Sequence, residues 1–302
     1  MTAASRPLEV LTAGPVTRDR ILDPDGKARE QPGGSALHAA AVHARLGLTT
    51  ALLTQLAARD RRDLLAPLDG LGIRFHVQAV HATTRFVTTL RADGRDHAVP
   101  RLAPPLKPAA FDRLTATAIQ LGPLTRADVP PETVAAARER CTWLALDVQG
   151  LTRRVAAGRV RPTGGVPREA LARVDILKAD ADEARLVTGW RDPRHAARAL
   201  AAMGRGEAVV TLGDQGAHLA VGEHVRPVPP VDAGPAVDTT GCGDAFLAGY
   251  LARRLRGDRA WRAARVAAVV AALTATRYGA FAADADTVRA LLDGDTPAPE
   301  AE

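Results

Sequence analysis

The chain has 302 residues, 46% of them hydrophobic and 3% aromatic, with a formal charge of +6. That is enough apolar material for a large core in one domain with a small appendage, and no apolar run approaches the ~20 residues of a membrane span. Apart from Lys27, Lys107 and Lys178 the basic residues are arginines scattered along the chain, without the basic stripe and stacking rings that a nucleic-acid binder would want. Cys141 and Cys242 are the only cysteines, so neither a disulfide framework nor a zinc site is expected, and a cytoplasmic location is. The first residues lack a signal-peptide pattern.

Residues 8–13 are predicted as a first strand. Residues 35–46 are predicted as a helix, with Ser35 as its cap and Gly47 as its stop. Residues 50–53 are strand-like, and an amphipathic helix over 61–71 ends at Gly72. Short apolar runs at 118–121, 143–147 and 176–178 suit buried parallel strands. Helix-like pieces separate them at 131–140, 168–173 and 182–187. A helix over 193–203 precedes a strand over 208–212, and two long helices follow at 245–255 and 260–277. This alternation predicts an α/β fold, a parallel sheet with helices on both faces.

Two stretches break the pattern. Residues 20–31 are polar and turn-rich. Residues 75–101 alternate as strands do, with a turn at Ala92-Asp93-Gly94. They are expected to meet as a small β lid, built from about 16–32 and 75–101, on a single domain spanning 1–302. The tail over 296–302 is expected to be disordered. His76, His81 and His97 do not have the spacing of a metal set.

The segment Asp238-Thr239-Thr240-Gly241-Cys242-Gly243-Asp244-Ala245-Phe246 is the most informative chemically. Glycines that open a helix aim free N–H groups at one point, and the helix dipole adds positive charge there, which makes an anion site. A carboxylate in such a place suits a reaction that needs a base beside a phosphate. Asp244 also fits a plain helix cap, and the local sequence leaves both open.

With its neighbours, this segment resembles the C-terminal signature of the PfkB or ribokinase-like carbohydrate kinases, D-T-x-G-A-G-D, with Cys242 where alanine is usual. Gly33-Gly34-Ser35-Ala36-Leu37-His38 is similar to the family's N-terminal glycine pair and helix, with His38 where asparagine is common. Gly14-Pro15-Val16-Thr17-Arg18-Asp19 resembles the end of the family's first strand. Leu177-Lys178-Ala179-Asp180-Ala181-Asp182-Glu183 stands where N-x-x-E is usual, with Asp180 in place of the asparagine. Val210-Thr211-Leu212-Gly213-Asp214-Gln215-Gly216 is similar to the strand and turn along the nucleotide. Leu121-Gly122-Pro123-Leu124 and Leu146-Asp147-Val148-Gln149-Gly150 look most like the inositol-kinase-like and archaeal-type sugar and nucleoside kinase branch.

The resemblance implies a three-layer α/β/α domain with a central, mostly parallel sheet and a small β lid. It implies a kinase that uses ATP and Mg2+ on a hydroxyl of a small molecule. Asp244 would be the general base, and Gly241, Cys242 and Gly243 would hold the transferred group. Asp19, Gly33, Gly34 and His38 would bind the acceptor, with Gln149 reaching it from a strand end. Asp180, Thr211, Gly213, Gly241 and Gly243 would lie along ATP, with Ala268, Ala271 and Ala272 near its ring. Glu183 would act on Mg2+ through water. Asp238 and Thr240 match where some relatives bind a monovalent cation such as K+.

The acceptor is expected to be a sugar or cyclitol. A nucleoside is the alternative, with Phe75 and Phe86 as candidate base-stacking rings. A non-catalytic ligand-binding or regulatory protein on the kinase scaffold is the alternative of another class. No nucleic acid or membrane partner is expected, and exposed lid strands suit pairing into a homodimer.

Overall fold

The computed structural model describes residues 7–91 and 94–294, the side chain of Arg95 excepted. The expected turn residues 92 and 93 and the expected disordered tail lie outside the described residues. Strand β1 (Val10–Ala13) runs through the core, and the chain then leaves it for β2 (Thr17–Leu22) and β3 (Ala28–Gly33). Helix α1 (Ser35–Arg45) brings it back to β4 (Thr50–Leu56). Next come α2 (Arg61–Leu65), β5 (Arg74–Ala79) and the hairpin β6 (Arg85–Arg91) with β7 (Gly94–Arg101).

Alternation resumes with β8 (Ala116–Leu121), α3 (Pro131–Arg138) and β9 (Cys141–Asp147). A second hairpin, β10 (Arg153–Ala156) and β11 (Arg159–Pro162), precedes α4 (Arg168–Leu171) and β12 (Ile176–Asp180). The chain continues through α5 (Ala181–Thr188), α6 (Pro193–Met203), β13 (Glu207–Thr211), β14 (Ala217–Val221) and β15 (His224–Val228). It closes with α7 (Cys242–Leu255), α8 (Ala260–Ala275) and α9 (Ala285–Gly294).

The main sheet has the order β15-β14-β13-β12-β9-β8-β1-β4-β5. It is parallel from β5 to β13, and β14 and β15 add an antiparallel edge. Successive side chains of a strand point to opposite faces, and this period of two builds the layers. Leu11, Ile119, Leu144, Leu177 and Val210 pack with α3 to α6. Val10, Ala118, Ala145, Ile176 and Val209 pack with α7 and α8, and α1 joins α7 and α8 in a neighbouring cluster. The small Ala118 and Ala145 let α7 lie close to the sheet. The result is the expected three-layer α/β/α domain. Among the described residues, no helix is long and apolar enough to cross a membrane.

A second sheet has the order β10-β11-β7-β6-β2-β3. Its make-up corrects the expectation twice. Phe75 and its neighbours belong to β5, which pairs in parallel with β4 at the edge of the main sheet; an alternating half-buried pattern fits an edge strand of either sheet. The hairpin of β10 and β11, unforeseen, supplies the other end of the second sheet. Helix α2 is also shorter than expected. It gives way at Ala66 to a tighter turn holding Pro67, which cannot donate into a helical ladder.

Candidate active site

The expected helix at 245 begins three residues earlier, at Cys242. Gly243 and Asp244 therefore stand in the first turn of α7, where N–H groups lack intrahelical partners. Gly241 caps the helix with φ of 80°, a conformation that costs glycine little. A Cβ there would stand 2.5 Å from His38 Nδ1, so the cap and the His38 ring are in contact. Asp244 is 8% exposed, and its Oδ1 accepts a hydrogen bond from Ser35 Oγ at the start of α1. Burial, and after it the charge of Asp147, push its pKa up to about 6, against Ser35, Lys178 and Arg153. Such a carboxylate is ionised at neutral pH yet basic enough to take a proton.

Beside it, β9 and β12 pair in register, with Lys178 opposite Asp147, the last residue of β9. Lys178 Nζ lies 2.9 Å from Asp147 Oδ2, with side chains 5% and 1% exposed. Burial works against the ammonium charge, but Asp147 and Glu183 outweigh it and raise the Lys178 pKa. A Cβ on Gly243 would come within 2.5 Å of Lys178 Nζ, so the glycine lets the ammonium lie against the first turn of α7. Gln149, expected to touch the acceptor, donates its backbone N–H to Asp147 Oδ1 at 3.0 Å.

Helix α5 begins with a reciprocal cap. Asp180 Oδ1 accepts from the Glu183 N–H at 2.8 Å, and Glu183 Oε2 accepts from the Asp180 N–H at 2.9 Å. Glu183 Oε1 accepts from Arg153 Nη2 at 3.2 Å. Burial pushes the Glu183 pKa up to about 7, with Lys178 the main opposing charge. Thr211 lies beside Asp180 in register, and its hydroxyl donates to the Ala179 carbonyl at 3.3 Å. Gly213 follows in a short turn. Ala268 is a buried residue of α8, and Ala271 and Ala272 are the half-buried members of that set.

The other cluster lies between α1 and the second sheet. Asp19 Oδ1 accepts from Thr17 Oγ1 at 2.5 Å. Its Oδ2 rests so close to Gly33 that a Cβ would overlap it, and a Cβ on Gly34 would meet the Pro15 carbonyl. Burial raises the Asp19 pKa to about 6, Thr17 opposing and Asp238 adding. His38 is 2% exposed. Neither of its ring nitrogens has a hydrogen-bond partner among the described residues. Burial lowers its pKa to about 4, against the pull of Asp238, so the ring is neutral at physiological pH. Both Asp238 oxygens are engaged, Oδ1 by the Thr240 N–H at 2.9 Å and Oδ2 by Arg29 Nη2 at 3.4 Å. The Arg29 guanidinium lies 3.8 Å above the Tyr278 ring.

Thus Asp244, Gly241, Gly243 and His38 come together, Asp19 meets Gly33, and Asp180 meets Glu183 and Thr211. Asp147, Lys178, Ser35 and Arg153 were given no chemical role from sequence. For two of them a signal existed: a lysine within the apolar run Ile176-Leu177-Lys178-Ala179, and an acid ending Leu144-Ala145-Leu146-Asp147. A buried polar line also backs the turn. His43 Nε2 bonds Gln120 Oε1 at 2.9 Å, and Gln120 Nε2 donates to the Asp244 carbonyl at 3.5 Å.

Known proteins resemble this chain in sequence and in fold. A cytidine kinase from Thermococcus kodakarensis is 28% identical over 266 residues, 83% of this chain and 90% of that protein. An ATP-dependent ribose-1-phosphate kinase from Halopiger xanaduensis is 32% identical over 321 residues, 94% of this chain and 98% of that one. A solved pyrophosphate-dependent kinase in the ribokinase family, complexed with a pyrophosphate analogue and myo-inositol, has the same fold. Its TM-score is 0.84 at 20% identity, over 93% of this chain and 99% of that one. The pfkB family carbohydrate kinase model matches residues 12–287, and the chain accordingly belongs to that family of phosphotransferases with an alcohol group as acceptor.

Proposed function

We propose that the protein transfers the γ-phosphoryl group of ATP to a hydroxyl of a sugar or cyclitol, with Asp244 as general base. The observation that carries this is the placement of Asp244: buried, with its pKa pushed to about 6, in the first turn of α7 and one residue from the glycine that touches Lys178. The acceptor would lie between Asp244 and the second sheet, its other hydroxyls on Asp19 and His38. Asp244 would take the hydroxyl proton as the oxygen attacks the γ-phosphorus. The new O–P bond forms, the bond from the γ-phosphorus to the bridging oxygen breaks, and its electron pair leaves on ADP. Lys178 and the N–H groups of residues 241–244 would meet the charge on the phosphoryl oxygens. The second sheet would act as the lid that keeps water out.

The donor set fits a hard divalent ion. Glu183 bonds Arg153 and the Asp180 N–H through its two oxygens, so Asp180 Oδ2 is the oxygen of this pair that would take Mg2+ through its water shell, and when bound the ion would offset the charge of the phosphates. A monovalent cation at Asp238 fits poorly, because Arg29 and Thr240 already occupy both carboxylate oxygens.

A nucleoside acceptor is the second reading. A cavity of about 300 Å³ lies between the second sheet and residues 236–240, with Ile21, Leu90, Val237 and Tyr278 in its wall, and would take a base. Phe86 packs on His97 with ring centroids 5.3 Å apart, and Phe75 lies in the main sheet.

A turnover panel of polyols, sugars and nucleosides, each with MgATP and with magnesium pyrophosphate, tests the assignment. Turnover of a sugar or cyclitol with MgATP is expected. No turnover of any acceptor, with ligand binding still measurable, would leave a non-catalytic binding protein instead.

A further inference from the structure

Arg153 is the first residue of β10, directly after the tight turn Val148–Thr152 that closes β9. Its backbone is fixed where the chain passes from the main sheet to the second: the Arg153 carbonyl accepts from the Arg126 N–H at 2.9 Å, and Thr152 Oγ1 donates to the Gln149 carbonyl at 2.8 Å. The guanidinium reaches back to Glu183 Oε1 at 3.2 Å. Its charge is felt by Asp244 as well as by Glu183. Around this point Asp147, Asp180, Glu183 and Asp244 face the two cations Lys178 and Arg153. A polyphosphate entering so acidic a corner needs a cation that can turn toward it.

The two cations differ in what they are free to do. Lys178 is 5% exposed and locked on Asp147, under Gly243. The Arg153 side chain is 23% exposed, and Glu183 uses only one edge of its fork of N–H donors. When Arg153 leaves, Glu183 Oε2 stays bonded to the Asp180 N–H and Lys178 remains as its opposing charge.

We propose that Arg153 is a donor-binding residue: it leaves Glu183 for the phosphoryl group being transferred, so that the second sheet itself delivers a cation to the donor. This rests on the phosphotransfer reading above. It adds a residue from a hairpin that lies outside the motifs on which the resemblance was read. It also ties donor binding to the position of the second sheet, because β10 belongs to that sheet.

The test compares wild type, R153M and R153K. KM would be measured separately for MgATP, magnesium pyrophosphate and the acceptor. Binding of MgADP and of magnesium pyrophosphate would be followed by calorimetry, and thermal midpoints recorded. Loss of a charge-assisted contact should weaken donor KM and Kd about tenfold to a hundredfold in R153M. Acceptor KM should stay within about twofold and the midpoint should hold; R153K should fall between, and added guanidinium should restore part of the R153M loss. Equal donor affinity in R153M and wild type would overturn the assignment. So would a loss shared equally by acceptor KM and thermal midpoint, which would mark a purely structural tie. Should the wild type turn over no acceptor yet bind magnesium pyrophosphate at least tenfold tighter than R153M does, the phosphotransfer reading falls and the arginine stands. Turnover with unchanged donor KM in R153M does the reverse.

Discussion

The donor-side cluster of Asp147, Lys178, Asp180 and Glu183 and the acceptor-side cluster of Asp19, Gly33 and His38 are both buried, but they satisfy their polar atoms differently. On the donor side each charge already has a partner of opposite sign or a backbone N–H. On the acceptor side the His38 ring has no hydrogen bond among the described residues, and Asp19 has one threonine hydroxyl. Buried polar groups left unpaired cost free energy. The end proposed for the donor is therefore a preformed electrostatic frame, whereas the end proposed for the acceptor keeps polar atoms that the hydroxyls of a ligand would satisfy. Asp244 sits at the join, held by Ser35 from α1 and influenced by Asp147 from β9.

The hardest test of that join is D244N, which should lower kcat by about 10²–10⁴ while acceptor binding persists. A kcat near wild type would remove Asp244 from the chemistry. Next in size, K178M should cost about 3 kcal/mol of stability in chemical denaturation, because it strands Asp147 without its counter-charge. The double variant D147N/K178M should recover part of that loss; a K178M as stable as wild type would show that the frame is not held together by this pair.

The pH profile probes the same join more gently. The Asp244 pKa is raised to about 6, and the base acts when ionised. The logarithm of kcat/KM should therefore climb with unit slope up to pH about 6 and flatten above it. S35A should move that limb upward, since Ser35 stabilises the carboxylate. A limb that stays in place in D244N would point to another group. The smallest effect is expected at the acceptor end. H38L breaks no hydrogen bond among the described residues, so its stability should match wild type or exceed it by up to about 1 kcal/mol, while acceptor KM rises about tenfold. A strongly destabilised H38L would mean that both ends are built alike.

Much of this was legible in the sequence because it is local. The glycine turn before α7, the acid pair opening α5 and the glycine pair before α1 are short patterns with a direct physical meaning, and apolar runs between helices marked most of the main sheet. Pairing across the chain was not legible. The alternating pattern around Phe75 is equally compatible with either sheet, and only its register with β4 decides. Lys178 and Asp147 look unrelated 31 residues apart until β9 and β12 align. Arg153 was hidden in a run of arginines, and which of them meets a carboxylate depends on where the hairpin lands.

Helices α1 and α7 present their reactive residues at their first turns and are buried along most of their length. A change there alters packing and chemistry together, so neither helix offers cheap variation. The strands of the second sheet are half open to solvent and, on the proposed function, would carry one wall of the acceptor pocket. Directed evolution toward new acceptors should therefore accumulate its substitutions in β2, β3, β6 and β7, leaving the transfer machinery untouched while its clientele changes.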